Sequence, residues 1–458
     1  MNRPRDPGAP GRGGPRTGFR GTPGRFTSWA PLRLPAHRAS SATLAGAYPF
    51  LTPPALQVGA YVGTDALTGE PFSFDPWALY AAGIVTNPNM VLAGVIGQGK
   101  SALAKSLAVR SIAAGRRVYV PGDPKGEWAP VADAVGGLVL RLGPGLPVRI
   151  NPLEATGTNP AMVHGARLRL LTALAETTLG RGLRPAEHSA LDAALTTAET
   201  GTRGGAPTIP AVVDALLAPD PAMSMRDGAT ATDRAADGGD LIHGLRRLIR
   251  GDLAGMFDGP STQHLDPGAP MVVLDLSRLG SSDDALTLAM TCASAWLETA
   301  ATASTPAVGP RWIVYDEAWR VLRSAPLVRR MQAQWKLSRA YGTANLLILH
   351  RLSDLDAVGA AGSEARALAE GLLADCSTRV IYRQEPDQLT ATATALGLTS
   401  TERSLLTALP RGTGLWKMPG RSHVVHHRLH PDEADVFDTD TAMRTVSRTT
   451  GHPGEVQS

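Results

Sequence analysis

The sequence predicts an α/β protein in which a mostly parallel central sheet is flanked by helices and carries an inserted all-helical subdomain. Three observations lead to this fold class. Between residues 90 and 120 a strand, a helix and a second strand follow one another, which is the βαβ unit of a parallel sheet. Later apolar strands end in acidic or polar residues. Between them, residues 160–256 have helical periodicity.

The composition is that of a soluble globular protein. Hydrophobic residues make up 43% of the 458 residues and charged residues 19%, and this length suits about two to three domains. Aromatic residues make up only 5%, so we expect a core built mainly of Ala, Val and Leu. No run of about 18 apolar residues occurs and no secretory signal is apparent, so the sequence predicts neither a membrane span nor export.

Charge and cysteine content narrow the function only slightly. The net charge of +4 is too small for a chain of this size to indicate nucleic-acid binding by itself. Cys292 and Cys376 lie far apart in apolar or small-residue surroundings. They suit buried thiols in a reducing compartment rather than a disulfide framework or a metal site.

The chain begins with a segment rich in Pro, Gly and Arg. Residues 1–45 contain eight arginines and a single acid, Asp6, and we expect a disordered basic arm. The arm either contacts nucleic acid or acidic lipid headgroups, or is only a solvated linker. Residues 46–89 have short apolar runs broken by turn residues, which predicts a β-hairpin leading into the core.

Residues 90–106 read MVLAGVIGQGKSALAKS, and the rest of the chain is organised around them. The spacing matches the phosphate-binding loop G-x-x-x-x-G-K-[ST], with a strand before it and a helix after it. Glycines let successive N–H groups converge on an anion, and the helix points its positive end at the same place. We expect Lys100 to reach the β- and γ-phosphates of ATP and the Ser101 hydroxyl to bind Mg²⁺. The residues assigned to phosphate binding are Gly94, Gly97, Gln98, Gly99, Lys100, Ser101 and Ala102.

Lysine is scarce in this chain, with five lysines among 45 basic residues, so its positions are informative. Besides Lys100 in the loop, Lys125 follows the next strand, together with Asp123 and Glu127. Ligands of parallel sheets lie beyond the carboxyl ends of the strands. These three residues are therefore predicted to position the groups that bind the nucleotide or to contact a neighbouring subunit. The alternative is an ordinary surface turn.

Helical periodicity interrupts the strand pattern in the middle of the chain. We predict the first part of the core over residues 90–159 and a helical insertion over 160–258. The second part of the core follows over 259–430, and residues 431–458 are expected to be a C-terminal tail.

The strand RWIVY ends in Asp316-Glu317, and an apolar strand that ends in an acid is the Walker B pattern. The aspartate is expected to hold Mg²⁺, directly or through water, and the glutamate to polarise the attacking water as general base. The segment MVVLD, which ends in Asp275, is a rival. It is followed by Leu276, which cannot activate water, so we assign these roles to Asp316 and Glu317.

Two further groups of polar residues lie at strand ends. His350 follows an apolar strand, where a polar residue is placed to sense the γ-phosphate; a solvated strand end is the alternative. Four histidines between 423 and 430 alternate between the two faces of a predicted strand. Because a metal needs its ligands on one side, we expect these to be surface histidines.

The segments GVIGQGKSALAKS, GDPKGEW, INPLE, GDLAGMFDG, WIVYDEAW and VIYRQEPDQ occur in this order along the chain. Together they resemble the motor domain of the conjugal-transfer ATPases of type IV secretion systems (the TraC class), over about residues 55–430. The resemblance implies a RecA-like P-loop NTPase core with a helical insertion, ATP and Mg²⁺ as cofactors, ATP hydrolysis and a homo-hexamer. It also implies a cytoplasmic motor, peripheral to the inner face of the cell membrane, with inner-membrane components of a secretion channel as partners. DNA or a DNA–relaxase complex is a further candidate partner.

RecA-like motors place their site at a subunit boundary, where an arginine of the neighbour stabilises charge on the γ-phosphate. Arg383, at the end of the strand RVIY, is our candidate for this trans arginine, with Arg351 and Arg411 as rivals. The chain departs from the family at two places. A large N-terminal domain usually precedes the motor, whereas about 45 residues precede the predicted hairpin here, and the strand tip at 350 often has Gln in the family.

Three functions remain open at this point. The first is an ATPase that energises conjugative type IV secretion, through substrate transfer or pilus assembly. The second is a DNA translocase or coupling-protein-like motor of the same superfamily, although such coupling proteins usually carry N-terminal membrane helices. The third is a nucleotide-binding scaffold without turnover, which the presence of both Lys100 and Glu317 disfavours.

Overall fold

The computed structural model describes residues 56–154, 159–202, 205–226, 228–266, 268–280, 282–303, 309–336, 338–349 and 363–437. The predicted basic arm lies outside these ranges. So do the predicted sensor His350 and the rival arginine Arg351.

One sheet of eleven strands organises the described residues, in the order β2-β1-β11-β10-β9-β3-β8-β7-β4-β6-β5. The seven strands from β9 to β5 in this order are parallel to one another, and the remaining four pair antiparallel. The strands are β1 Ala60–Asp65, β2 Pro71–Phe74, β3 Met90–Ala93, β4 Arg117–Asp123, β5 Leu138–Arg141, β6 Met271–Asp275, β7 Arg311–Tyr315, β8 Thr343–Leu349, β9 Thr378–Ile381, β10 Thr413–Met418 and β11 Arg421–His427. The mostly parallel sheet expected from the sequence is confirmed.

Helices cover both faces of the sheet. The core helices are α1 Pro76–Ala81, α2 Lys100–Ala113, α3 Ala129–Ala134, α10 Asp283–Ala303, α11 Trp319–Leu322, α12 Ala325–Trp335, α13 Glu364–Ala374, α14 Leu389–Leu396, α15 Ser400–Leu405 and α16 Pro431–Phe437. Between β5 and β6 lie α4 Pro160–Leu179, α5 Pro185–Gly201, α6 Ile209–Leu217, α7 Pro221–Arg226, α8 Ala231–Asp237 and α9 Gly239–Ile249. The all-helical insertion expected from the periodicity is therefore present.

The first helix of the insertion shows how local sequence sets its bounds. Asn159 caps α4 by accepting a hydrogen bond from the Ala161 N–H at 3.0 Å, and Pro160 occupies the first helical position, where its missing N–H costs nothing. Gly180 ends the helix in the left-handed conformation, with φ of 66°. Leu170, Leu171 and Leu174 are buried, so this helix packs its apolar face into the main core.

Helix α16 differs from the sequence prediction. The sequence suggested a tail from residue 431, but residues 431–437 form a helix whose Glu433 accepts hydrogen bonds from Arg110 and from Ser106 on α2. The ion pair with Arg110 and the burial of Phe437, which is 8% exposed, hold this segment against the core.

The expectation of surface histidines is wrong for His423, and His427 is half-buried. His423 is 5% exposed and its Nδ1 lies 3.0 Å from Oδ2 of Asp65 on the neighbouring strand. Burial lowers the pKa of His427 to about 4, so that this imidazole is neutral at pH 7. Side chains of the adjacent strands bury His423, since Asp65 of β1 pairs with it and the ring of Phe72 on β2 lies 5.3 Å from its ring. Both cysteines are buried free thiols, as expected.

Candidate functional site

The phosphate loop connects β3 to α2, with Gly99 at the N-cap and Lys100 as the first residue of the helix. Gly99 has φ of 101°, a conformation that only glycine adopts without strain. A Cβ atom at Gly94 would lie 2.6 Å from Cβ of Tyr382, so glycine is also required there by the close approach of the next strand. Glycine is therefore required at these two positions of the motif for different physical reasons.

Neighbouring elements hold the loop from outside. The Val95 N–H donates to the Arg383 carbonyl at 3.1 Å, and the Gly412 N–H donates to the Gln98 carbonyl at 2.9 Å. Tyr382, which is 1% exposed, donates its N–H to the Ala93 carbonyl at 2.8 Å. The loop is thus fixed before any ligand binds, which reduces the entropy lost on binding.

Lys100 lies inside the loop. Its Nζ donates to the carbonyls of Gly94 at 2.6 Å and Val95 at 2.8 Å, and the residue is 3% exposed. Burial lowers the pKa of Lys100 to about 8, although the charges of Asp316 and Glu317 act in the opposite direction. Ser101 follows in the first turn of α2, so the hydroxyl, the ammonium and the helix N-terminus all belong to the same end of the helix.

The carboxylates assigned to Walker B directly follow β7. The sheet order β3-β8-β7 places one strand between the phosphate loop and these residues. Asp316 is 8% exposed, and its Oδ2 accepts a hydrogen bond from the Trp128 indole N–H at 2.9 Å. Burial raises the pKa of Asp316, and the nearby Glu317 and Glu127 charges raise it further. A divalent cation next to this carboxylate would offset that cost.

Glu317 is the one non-glycine residue with positive φ, at 53°, among those that the structure describes. A backbone of this kind is uncommon for a side chain such as Glu and persists where the surroundings enforce it. Its Oε2 accepts a hydrogen bond from the Trp319 indole N–H at 2.6 Å, and Oε1 is paired with the Lys125 ammonium. The carboxylate is 4% exposed and is held in one orientation.

The turn after β4 brings the remaining predicted residues to the same edge. The Asp123 carboxylate accepts the N–H groups of Glu127 at 3.1 Å and Trp128 at 2.7 Å, which shapes the turn. Burial raises the pKa of Asp123 to about 6. Burial alone would lower the pKa of Lys125, but the hydrogen bond and charge of Glu317 raise it overall. Glu127 pairs with Lys105 of α2 at 3.2 Å.

Asp275 lies elsewhere on the sheet. Strand β6 is separated from β3 by three strands, β8, β7 and β4. The Asp275 Oδ1 accepts the N–H of Ser277 at 2.9 Å, so it caps the turn that follows its own strand. This position supports the assignment of the metal and base roles to residues 316 and 317.

The candidate trans arginine lies beside the phosphate loop of its own chain. Arg383 is exposed, while its carbonyl accepts the Val95 N–H. Arg411, a rival, is also exposed and directly precedes Gly412, which contacts the same loop. The sequence reasoning missed the tryptophans at positions 128 and 319, which orient the two carboxylates. The available signal was that two of only eight tryptophans stand within the motifs GDPKGEW and DEAW.

The fold that carries this candidate site also occurs in proteins of known structure. No family model matches the chain, and no curated protein matches it in sequence. The chain is similar to the structure of VirB4 of Thermoanaerobacter pseudethanolicus, with a TM-score of 0.67 and 22% identity over 82% of this chain and 98% of that chain. The chain has the fold of VirB4.

The same fold is shared with a second kind of protein. The bacterial conjugative coupling protein TrwBdeltaN70 matches with a TM-score of 0.53 and 15% identity, over 82% of this chain and 90% of that chain. TrwB in complex with ADP and Mg²⁺ matches with a TM-score of 0.53 and 15% identity, over 86% of this chain and 93% of that one. These matches confirm the RecA-like P-loop fold that the motifs implied. No described helix combines the length and the apolar character that a bilayer crossing requires.

Proposed function

We propose that this protein is a Mg²⁺-dependent ATPase motor that energises conjugative type IV secretion, through substrate transfer or pilus assembly. The observation that carries the proposal is the pairing, at one sheet edge, of a braced phosphate loop with two buried carboxylates. The fold shared with VirB4 supports the secretion role, and the motif set of the sequence points the same way.

The chain offers a group for each step of phosphoryl transfer to water. The backbone N–H groups of the loop from Gly97 to Ala102 bind phosphate oxygens, and Lys100 contributes a positive charge to the β- and γ-phosphates. Ser101 and Asp316 would hold Mg²⁺, a donor set of one hydroxyl and one carboxylate that leaves room for phosphate oxygens and water. Bound Mg²⁺ supplies neutralisation of the charge that develops on the transferred group.

Glu317 is proposed as the general base. Lys125 and Trp319 donate to its two oxygens, which favours the ionised form and fixes the direction of its lone pairs. Each carboxylate oxygen can accept more than one hydrogen bond, so a water can donate to Glu317, but the ammonium of Lys125 lowers the basicity of the oxygen that it contacts. We infer that Lys125, with its side chain 52% exposed, moves away when the base acts, whereas Trp319 is anchored in the following helix.

The assembly and location follow from the same proposal. We propose a homo-hexamer with Arg383 acting at the neighbour's site, in the cytoplasm against the inner face of the cell membrane. Its partners would be inner-membrane components of a secretion channel, and a DNA–relaxase complex if the substrate is DNA.

A second candidate is a coupling-protein-like DNA translocase, which the fold shared with TrwB favours. The two functions differ in their response to DNA. ATP hydrolysis by the purified protein should be measured with and without single- and double-stranded DNA. A rate that is unchanged by DNA supports the secretion ATPase, whereas strong stimulation supports the translocase. Absence of Mg²⁺-dependent hydrolysis under all conditions would favour the scaffold and contradict both.

A further inference from the structure

A second cavity, separate from the phosphate loop, lies where the helical insertion meets the core. Its volume is about 680 Å³, within the range of small-molecule sites. Helix α4 of the insertion forms one wall and α12 another, and the face of β7 and β8 forms the floor. Arg311 and Thr343, the first residues of those strands, line it, so it reaches the amino ends of the strands, whereas the phosphate loop follows a carboxyl end.

The lining of this cavity has a strong excess of positive charge. Glu176 is the one carboxylate among the lining residues and lies 3.6 Å from Arg329, whereas five arginines line the cavity, of which Arg167 is paired with Glu199 at 2.8 Å. Arg311 is only 5% exposed, and burial lowers its pKa. The cost of burying a guanidinium falls when an anion binds beside it. The arginines are Arg167, Arg169, Arg311, Arg329 and Arg330.

Two lining side chains carry buried hydrogen-bonding groups without a partner among the described residues. These are the indole N–H of Trp335, a residue that is 5% exposed, and the hydroxyl of Thr172. Buried donors are nearly always paired in native proteins, so each one requires an explanation. A ligand with several acceptor oxygens in the cavity would accept hydrogen bonds from both groups.

The remaining lining is apolar and partly aromatic. Trp335, Tyr315 and Tyr341 line the cavity together with Ile313 and Pro326. Aromatic rings and guanidinium planes both stack on flat, delocalised groups. The cavity thus combines phosphate-binding chemistry with surfaces that suit a planar ring.

We propose that this cavity binds a nucleotide unit, a planar base joined to a phosphate ester, either free or as one residue of single-stranded nucleic acid. Guanidinium groups bind phosphate oxygens through paired hydrogen bonds, and the Trp335 N–H adds a further donor. Tyr315 is the last residue of β7 and directly precedes Asp316, so the ligand would contact the strand that leads into the candidate catalytic carboxylates. The proposal does not depend on ATP hydrolysis, because the two sites share no residue.

Binding should be measured by calorimetry on the full chain carrying Lys100→Ala, which weakens the phosphate loop. The probes are deoxythymidine monophosphate, single-stranded hexadeoxythymidylate, thymidine and inorganic phosphate. The monophosphate has no β- or γ-phosphate for the loop to hold. We expect it to bind at least about tenfold more tightly than thymidine or phosphate, since neither offers both the ring and the charge.

Variants of the lining then locate the binding. Arg330→Gln should weaken binding of the monophosphate about tenfold, and Trp335→Phe about threefold by removing the N–H donor and part of the ring surface. Arg169→Gln, at an exposed position where folding is not at risk, should also weaken it. Arg403→Gln, an exposed arginine of α15 outside the cavity, is the matched control and should leave affinity unchanged.

The outcomes are distinct. Tighter binding of the hexanucleotide identifies nucleic acid as the source, and equal binding identifies free nucleotides; both support the site. The proposal is overturned if the monophosphate does not bind at millimolar concentration, if phosphate binds as tightly as the monophosphate, or if Arg169→Gln and Trp335→Phe match the control. These binding results do not depend on whether the original protein hydrolyses ATP, so a failure of the proposed function and a failure of this inference can be distinguished.

Discussion

Two regions of this molecule differ in whether the surroundings of a buried ionisable group favour its charged form. At the phosphate-loop edge, burial raises the pKa of Asp316 and lowers that of Lys100, so the surroundings disfavour the charged forms. At Glu402, hydrogen bonds outweigh burial and lower the pKa to about 2, so the surroundings favour the charged form. Ionisation of Asp316 and Lys100 therefore lowers the stability of the folded state, whereas ionisation of Glu402 raises it.

The structural basis of this difference is the number and kind of partners. Glu402 caps α15 by accepting the Thr399 N–H at 2.8 Å, and it also accepts from the Lys417 ammonium at 2.6 Å and the Ser422 hydroxyl. Asp316 has one indole N–H and one backbone N–H, with further acids nearby. A site that is short of compensating charge is suited to bind a cation and an anion together, which is what Mg-ATP provides.

The largest expected effect is at Lys100. Lys100→Ala removes the charge contact with the β- and γ-phosphates, so ATP hydrolysis should fall about 10²-fold or more. The free energy of unfolding should change little, because the buried ammonium is itself destabilised. A hydrolysis rate equal to that of the original protein would rule out the phosphate-loop assignment. Urea denaturation of the same sample verifies that the fold is retained.

The next effect concerns the base. Glu317→Gln retains the shape and the Trp319 contact but cannot accept a proton, so turnover should fall about 10²–10⁴-fold while ATP still binds. Asp275→Asn is the matched control, because it changes an acid at another strand end that caps a turn. Single-turnover and binding measurements separate the two steps. If Asp275→Asn is the inactive variant and Glu317→Gln is active, the choice of strand is wrong.

A third prediction concerns whether a neighbouring subunit contributes an arginine to the candidate active site. Arg383→Ala should slow hydrolysis by about 10³-fold if this arginine acts on the γ-phosphate. Mixing inactive Arg383→Ala subunits with inactive Lys100→Ala subunits should restore part of the activity, because some interfaces then pair an intact loop with an intact arginine. Confirmed mixed oligomers without activity above either parent would exclude the trans role, and attention would turn to Arg411.

Stability measurements compare the two regions directly. Glu402→Gln should lower the free energy of unfolding by about 1–2 kcal/mol through loss of the Lys417 ion pair, with ATP hydrolysis unchanged. Asp316→Asn should leave the free energy of unfolding unchanged or raise it, while hydrolysis is lost. Chemical denaturation at pH 7 measures both. A larger loss of stability at Asp316 than at Glu402 would contradict the contrast between the two regions.

The smallest effect is the pH dependence of the Glu402 contribution. The carboxyl of the unfolded chain takes up its proton near the ordinary glutamate pKa of 4.5, and the folded one only near 2. The unfolded state therefore binds more protons between these values, so stability is present above pH 4.5 and is lost as the pH falls toward 2. We expect the stability difference between the original protein and Glu402→Gln to be smaller at about pH 3 than at pH 7. A difference that stays constant would show that the ion pair does not control this titration.

Much of the candidate site could be predicted from the sequence because its chemistry is local. The phosphate loop is contiguous from Gly94 to Ser101, and its glycines and lysine are sufficient to place it between a strand and a helix. Asp316 and Glu317 could be assigned because an apolar strand led into them. The partners of these carboxylates could not be predicted, since Trp128 precedes Asp316 by 188 positions and only the order of strands brings them together.

The sequence alone also determined the parallel sheet, the helical insertion and the position of the turn after β4, because periodicity and turn residues act over short distances. Only the tertiary structure decided which charges are buried. His423 alternates like a surface residue yet is buried beside Asp65 of β1 and Phe72 of β2. Lys125 lies in an exposed turn yet pairs with the buried Glu317, and Glu433 belongs to a polar segment yet anchors α16 to α2. The physical reason is that burial and pairing depend on what packs against an element, and contacts between distant parts of the chain leave no periodic pattern in either part.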